Sequence, residues 1–293
     1  MATIRQLRRR IQSVKNTAKI TNALQLVAAS KMRRAQDRAL QAKPYAEKLR
    51  TVIAGLAAAT VDPEKPAHPL LVTREVKNIA LLHITPDRGL CGGLNSNLNR
   101  SAGTFVATQR EPVEVIAVGK KGRDFFIRAR VNVIAEFTDL GDYPGQAQVA
   151  PIARLVIDDY LAGLFDRVYV SYPEFVSTAT QRPVIRQLLP IEPPRMEEDE
   201  AGASTFAQDY IFEPSPDRVL AQLLPRYVEM QIYEAVLQNA ASFQSAQMVA
   251  MKNATDNANE ITRDLTLTYN KARQEQITKE LLDIVGGAAA LEG

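Results

Sequence analysis

Two long stretches of this chain contain neither glycine nor proline, and they lie near opposite ends of the sequence. The chain has 14 glycines and 16 prolines, yet none falls within residues 1–43 or within residues 226–285. Because these two residue types break helices most strongly, each stretch is predicted to form one long helix. At about 1.5 Å per residue the second helix would span roughly 90 Å, so much of it is expected to project beyond any globular domain.

The first stretch repeats small and apolar side chains at alternating steps of three and four residues. This pattern is typical of the a/d seam of a left-handed coiled coil, and its alanines allow a partner helix to approach closely. Ile20, Leu24 and Val27 add a second apolar face, as expected for a helix with more than one neighbour. Pro44 lies inside the pattern and predicts a kink. The seam consists of Ile4, Leu7, Ile11, Val14, Ala18, Thr21, Gln25, Ala28, Met32, Ala35, Ala39, Ala42, Ala46, Leu49, Ile53 and Leu56.

The second stretch carries a weaker seam of the same kind, interrupted by polar residues. Gly286 and Gly287 are predicted to end the helix. A pair of long helices in an ordinary bundle remains the alternative interpretation. The seam comprises Leu223, Tyr227, Met230, Leu237, Ala241, Met248, Met251, Ala258, Leu265, Tyr269 and Ala272, and the interruptions are Glu234, Gln244, Thr255 and Thr262.

The middle of the chain alternates apolar runs with helical patterns. This alternation predicts right-handed βαβ units and a mainly parallel, Rossmann-like sheet. The chain is therefore expected to fold as an α/β domain inserted between two long terminal helices that form an antiparallel coiled coil. Strands are predicted at 76–85, 113–118, 131–137, 167–172 and 184–189, with helices at 93–109, 119–129 and 146–165, an acidic loop at 197–200 and a short returning strand at 210–212. The predicted divisions are an N-terminal helix at 1–60, a linker at 61–75, the α/β domain at 76–213 and a C-terminal helix at 214–293.

Three features of the sequence could serve as sites for chemistry, and none fits an active site well. The glycine-rich turn at residues 89–93 follows a strand and precedes a helix, where doubly wound folds hold phosphate, but its spacing matches neither common phosphate-binding motif. Residues 119–122 form a similar, weaker case. A nucleophilic role for Cys91 would need a histidine base, and His68 and His83 are the two histidines of the chain. One cysteine and two separated histidines give no metal-ligand spacing, so no cofactor or metal is predicted.

Charge is distributed very unevenly at the start of the chain. Residues 1–36 contain nine basic side chains and no acidic one, although the net charge of the whole chain is only +3. Such a helix is expected to face an anionic surface, either an acidic protein or nucleic acid. The absence of a groove-reading motif and of aromatic residues beside the basic ones weakens the nucleic-acid interpretation.

The remaining compositional features concern location. A single cysteine favours a reducing compartment, and the lack of any run of about 18 apolar residues predicts no transmembrane helix. The N-terminus is not a secretory signal, but its basic, acid-poor start leaves a mitochondrial transit peptide as an alternative.

Several short segments, in order along the chain, share a pattern with a known family. Each segment alone is modest evidence, whereas their combination is specific. The segments are IQSVKNTAKIT at 11–21, VAASKM at 27–32, DRGLCGGLN at 87–95, MVAMKNATDN at 248–257, NKARQ at 270–274, and ITKELLDIVGGA at 277–288, which fits I-T-x-E-x-x-[DE]-x-x-x-G-A.

These segments resemble the γ subunits of F-type ATP synthases at both ends and in the middle. The chain departs from the family in two ways. The first is that Leu24 and Leu26 stand where the family usually has methionine, a change that roughly conserves volume. The single cysteine excludes the regulatory cysteine pair of chloroplast-type members, so the resemblance is to the bacterial type.

The resemblance implies a non-catalytic rotor shaft that carries torque from a proton-driven ring to catalytic β subunits. The implied partners are the α, β and ε subunits and the membrane c-ring, without nucleic acid, and the implied location is the cytoplasmic face of the bacterial plasma membrane. We predict that contacts with the α/β ring are made by Arg8, Arg9, Lys31, Arg33, Arg34, Arg273, Gln274, Thr278 and Glu280.

Overall fold

The computed structural model describes residues 3–59, 68–192, 213 and 215–292 of the chain. The predicted strand at 210–212 and the predicted acidic loop at 197–200 lie outside these residues. A short 3-10 turn, Pro69–Leu71, lies within the predicted linker. The other elements are α1 (Ile4–Ala59), β1 (Ile79–Ile84), α2 (Leu94–Thr108), β2 (Val113–Val118), α3 (Lys120–Arg128), β3 (Val133–Phe137), α4 (Gln146–Leu161), β4 (Arg167–Phe175), β5 (Gln181–Leu189) and α5 (Pro216–Glu292).

The chain divides into two compact units, and the division falls inside both terminal helices. The two-helix unit comprises Met1–Ala28 and Gln247–Gly293, and the α/β unit comprises Ala29–Ala246. Sequence patterns instead place the divisions at the helix ends, because periodicity does not reveal where a continuous helix changes its neighbours.

The five strands form one mixed sheet in the order β3-β2-β1-β4-β5. β1 runs parallel to β2 and β4, and β2 runs parallel to β3, so the sheet is mainly parallel. β5 is antiparallel to β4, because only the short segment 176–180 joins them. A parallel pairing would need a crossover of a dozen or more residues.

Local hydrogen bonds explain where two predicted elements differ from the observed ones. β1 begins at Ile79 rather than at residue 76, because the Asp166 carboxylate accepts the backbone N–H groups of Lys77 and Asn78 at 2.8 and 3.1 Å. α4 ends at Leu161 rather than at residue 165. Gly163 has a φ of +77°, and such a left-handed residue commonly ends a helix.

The main core of the α/β unit includes the inner segments of both terminal helices. Every residue of β1 is buried, as expected for a central strand covered on both faces. Both terminal helices contribute buried residues to the same cluster as the sheet, for example Leu49, Ile53 and Leu56 from α1, and Leu224, Val228 and Ile232 from α5.

The prediction that Gly286 and Gly287 end the last helix is wrong. α5 continues through both glycines to Glu292. A glycine inside a helix costs only about 1 kcal/mol relative to alanine, so two glycines weaken this helix without ending it. α1 likewise continues through Pro44, and α5 through Pro225.

Candidate functional site: helix faces and the carboxyl edge of the sheet

The seam predicted on α1 is buried along its whole described length. Each of its members whose side chain the structure describes is buried or half-buried. Within the two-helix unit, the buried members are Leu7, Ala18, Thr21 and Ala28. The second predicted face behaves differently, because Ile20 and Val27 are 61% and 50% exposed, although Leu24 between them is half-buried. This face is therefore available to another chain.

The part of α5 that belongs to the two-helix unit is buried with the same alternating spacing. Met251 and Ala258 are buried, and a hydroxyl hydrogen bond of 2.7 Å joins Thr255 to Thr21 of α1. Two polar seam residues, one from each helix, thus contact each other. Half-buried positions continue the spacing at Thr262, Leu265, Tyr269 and Ala272.

Beyond Ala272, the character of α5 changes. Every described side chain from Arg273 to Gly286 is exposed, including apolar ones such as Leu282 and Ile284 at 65% and 68%. The predicted contact residues Arg273, Gln274, Thr278 and Glu280 all lie on this exposed segment. Exposed apolar side chains close to one another on a helix indicate a surface for another protein.

The acid-free segment of α1 presents most of its charge to solvent. Arg8 and Arg9 are exposed in the two-helix unit, and Arg33 and Arg34 are exposed in the α/β unit. Lys31 differs, because its ammonium lies 2.7 Å from the Asp142 carboxylate. The structure brings none of these predicted residues into a common cluster, and their contacts with other subunits stay a prediction.

The turn before α3 is built from tightly packed backbone. Gly119 has a φ of +93°, and a Cβ atom there would lie 2.0 Å from the Thr85 carbonyl oxygen. The first four backbone N–H groups of α3 donate within the protein, and a carboxylate already occupies the position where a phosphate would bind. The four donations are Lys120 to Asp87 Oδ1 (3.0 Å), Lys121 to Pro86 O (3.3 Å), Gly122 to Thr85 Oγ1 (2.8 Å) and Arg123 to Gly119 O (3.3 Å).

The Cys91 thiol lies in a small apolar cluster with Leu94, Phe243 and Ala246. Burial raises its pKa, which disfavours the nucleophilic thiolate. The Asn95 amide donates to its sulfur at 3.3 Å. His83, at 3.0 Å from Asn99 and 3.2 Å from Ser171, has both ring nitrogens occupied. These contacts indicate a structural role for Cys91.

A charged cluster that the sequence patterns did not predict lies beside the carboxyl edge of the sheet. Asp142, in the loop between β3 and α4, contacts the Arg88 guanidinium as well as Lys31. The Gln244 amide nitrogen of α5 donates to the same carboxylate at 3.4 Å. The loop lines a cleft of about 430 Å³. In the sequence, Gly141 and Pro144 mark a loop after a strand, but they do not indicate that Asp142 binds other side chains.

Two further observations concern the described part of the chain only. None of its helices contains an apolar stretch long enough to cross a bilayer. Its histidines, cysteine and carboxylates do not form a group of three that could hold a metal ion.

A mixed α/β unit whose two terminal helices continue into a second, two-helix unit defines an α/β protein with long terminal helices that expose basic and apolar side chains. Its surfaces suit binding to other chains rather than conversion of a small molecule. Known proteins identify the family to which this chain belongs.

The sequence model of a family described as ATP synthase matches residues 3–291. ATP synthase γ chains from Dehalococcoides mccartyi and Roseiflexus castenholzii are 54% and 51% identical to this chain and match 99% of it, with 100% and 99% of their own lengths covered. This chain belongs to the ATP synthase γ-chain family, which confirms the predicted assignment.

Two solved structures share the fold of this chain. A chain of the Tetrahymena thermophila mitochondrial ATP synthase central stalk and c-ring has a TM-score of 0.61 at 24% identity, covering 80% of this chain and 99% of that one. A chain of the Euglena gracilis mitochondrial ATP synthase rotor has a TM-score of 0.67 at 19% identity, covering 94% and 98%.

Proposed function

We propose that this chain is the central-stalk rotor subunit of an F-type ATP synthase. It transmits torque from a proton-driven c-ring to catalytic sites on β subunits, and so couples proton flow to ATP synthesis or hydrolysis without bond chemistry of its own. Membership of the γ-chain family supports this role. Its partners are the α, β and ε subunits and the c-ring, and its place is the cytoplasmic face of the bacterial plasma membrane.

The shaft of this rotor is an antiparallel coiled coil of the two terminal segments. The single observation that carries this step is the contact between Thr21 and Thr255. The seam of α1 begins at Ile4, 17 residues before Thr21, and the buried positions of α5 end at Ala272, 17 residues after Thr255. Both ends therefore coincide if the helices run in opposite directions, since two helices rise equally per residue.

The exposed end of α5 extends past this coiled coil as a single helix. Since every described side chain of residues 273–286 is exposed, their apolar side chains are available to the α/β ring. Arg273, Gln274, Thr278 and Glu280 provide the polar contacts of this end. Differential contact with the three β subunits is what allows rotation to bias each β subunit between its nucleotide-binding states.

The exposed basic face of α1 supplies the electrostatic part of the contact. Arg8, Arg9, Arg33 and Arg34 meet acidic segments of β as the shaft turns, and charge complementarity favours encounter and register more than raw affinity. The Lys31 ammonium can join them only by leaving Asp142.

Copurification tests this proposal. The chain, carrying an affinity tag on the α/β unit, is expressed with α, β and ε subunits. We expect all four to elute together as a complex that hydrolyses ATP. Elution of the chain without α and β would refute the proposal, and a salt-dependent shift of duplex DNA by the same chain would favour the nucleic-acid alternative.

A further inference from the structure

The Asp142 carboxylate is bound by side chains from three separate elements. Lys31 belongs to α1, Arg88 to the loop after β1, and Gln244 to α5. Asp142 itself lies in the loop between β3 and α4. One carboxylate thus links both terminal helices to two loops at the carboxyl edge of the sheet.

Lys31 and Gln244, the two helix residues that bind Asp142, lie equally far from the boundaries between the two units. Lys31 lies three residues after Ala28, where the first segment of the two-helix unit ends, and Gln244 lies three residues before Gln247, where the second segment begins. Asp142 therefore contacts each helix within the α/β unit, three residues from the point where that helix crosses the unit boundary.

Neighbouring contacts strengthen the same attachment. On α1, the Arg38 guanidinium donates to the Tyr143 carbonyl oxygen at 3.0 Å and lies 4.8 Å from the centre of the Tyr143 ring. On the α5 side, the Arg88 guanidinium lies 6.0 Å from the centre of the Phe243 ring. Tyr143, next to Asp142, and Phe243, next to Gln244, thus add contacts between the loops and the two helices.

The electrostatics of the cluster favour a charged, ordered carboxylate. Burial tends to raise the pKa of Asp142, but the hydrogen bond from Lys31 and the charge of Arg88 outweigh this effect, so the pKa is lowered. The Asp142 side chain is 22% exposed. Charged networks that are partly shielded from water are stronger and more rigid than isolated surface ion pairs.

We infer that Asp142 is the positioning residue that fixes both terminal helices to the α/β unit, so that torque on this unit reaches the shaft without twisting it at its base. This inference rests on the proposed rotor function and deepens it. It also assigns Lys31 a contact inside the α/β unit that transmits torque. Torque passes through α1 by the ion pair with Lys31 and through α5 by the hydrogen bond with Gln244.

The test compares Asp142→Asn with a matched control, Glu174→Gln. Glu174 is also a partly exposed carboxylate (20%) held by two cations, Arg182 at 2.7 Å and Arg186 at 2.5 Å. Both of its partners lie on β5, so this cluster does not hold α1. Both substitutions remove one negative charge at nearly constant shape.

The measurement is the angular fluctuation of a bead on the α/β unit in single complexes of α, β and this chain, halted by a non-hydrolysable ATP analogue. Angular variance is inversely proportional to torsional stiffness. Asp142→Asn weakens the attachments of both helices and is expected to raise the variance at least about twofold, since networks lose more than one pair when their centre is removed. Glu174→Gln should match the wild type.

Each outcome decides between distinct ideas. If the wild-type complex does not rotate in ATP, the proposed function fails. If it rotates, but Asp142→Asn and Glu174→Gln give equal variance, the inference fails. Should Asp142→Asn not assemble, Lys31→Gln and Arg88→Gln each remove one arm of the cluster. If Lys31→Gln raises the angular variance more than Glu174→Gln does, the inference is supported. If neither Lys31→Gln nor Arg88→Gln raises the variance, the inference is overturned.

Discussion

The buried histidine of the central strand makes the stability of the α/β unit depend on pH. His83 is fully buried in β1, where its ring nitrogens contact Asn99 and Ser171 and its ring lies edge-on to Phe126 at 5.2 Å. Burial lowers its pKa from 6.5 to about 4, although the hydrogen bond with Asn99 acts in the opposite direction. The imidazole is therefore neutral in the folded protein at pH values where the unfolded chain is already protonated.

The sign and size of the effect follow from these two pKa values. Between pH 6.5 and pH 4 the unfolded state binds more protons, so the free energy of unfolding is highest above pH 6.5 and falls as the pH is lowered through this window. With these values, the loss between about pH 7.5 and about pH 5 is roughly 2 kcal/mol. Carboxylates titrate mainly at lower pH, so they contribute little to the change in the free energy of unfolding between about pH 7.5 and about pH 5.

Urea unfolding of the full chain at several pH values measures this loss. The single cysteine, Cys91, is buried in the α/β unit, so its labelling by a disulfide reagent active in mild acid reports the opened fraction. We expect His83→Gln to be less stable but to lose most of the pH dependence. His68→Gln should keep it, because His68 is only half-buried. Equal pH dependence in the wild type and His83→Gln would refute the reasoning.

Three further predictions concern the turn before α3 and the exposed helix surfaces. Gly119→Ala should destabilise the chain by at least about 2 kcal/mol in urea unfolding, whereas Gly141→Ala, with a φ of +82° but open space around it, should cost only about 1 kcal/mol. Equal losses would show that the clash with backbone is not the cause. Arg273→Ala combined with Gln274→Ala should lower proton-driven ATP synthesis while the helix content of the isolated chain stays constant, and full synthesis by the assembled enzyme would exclude a role for these contacts. Arg8→Glu should reduce ATP hydrolysis or assembly in the reconstituted complex, and unchanged rates would contradict the electrostatic contribution.

Periodicity predicted the elements that depend on local pattern. The seam of α1 followed from its alternating steps of three and four, because burial on one helix face repeats with that spacing. β2 was predicted at its observed bounds, 113–118, because a short β-branched run flanked by turn residues suits a buried strand. The family itself followed from ordered short motifs rather than from physical chemistry.

Long-range contacts could not be predicted in this way. Asp142 and Lys31 are 111 residues apart, and no local pattern links a loop carboxylate to one lysine among nine basic residues. The antiparallel direction of β5 depends on a turn that closes after Phe175, and the continuation of α5 through Gly286 reverses a signal that is usually reliable. At Gly286, helix continuity outweighed a local preference of about 1 kcal/mol.

The most direct measurement of the central claim is ATP-driven rotation by a chain whose two terminal segments are covalently joined. Thr21→Cys and Thr255→Cys, in a chain with Cys91→Ser, replace two side chains whose hydroxyl oxygens are 2.7 Å apart. We predict that oxidation joins these cysteines and that a bead on the α/β unit still rotates in steps within the α and β ring, since both segments turn as one shaft. Failure of the disulfide to form, or rotation that stops on oxidation and returns on reduction, would contradict a paired shaft.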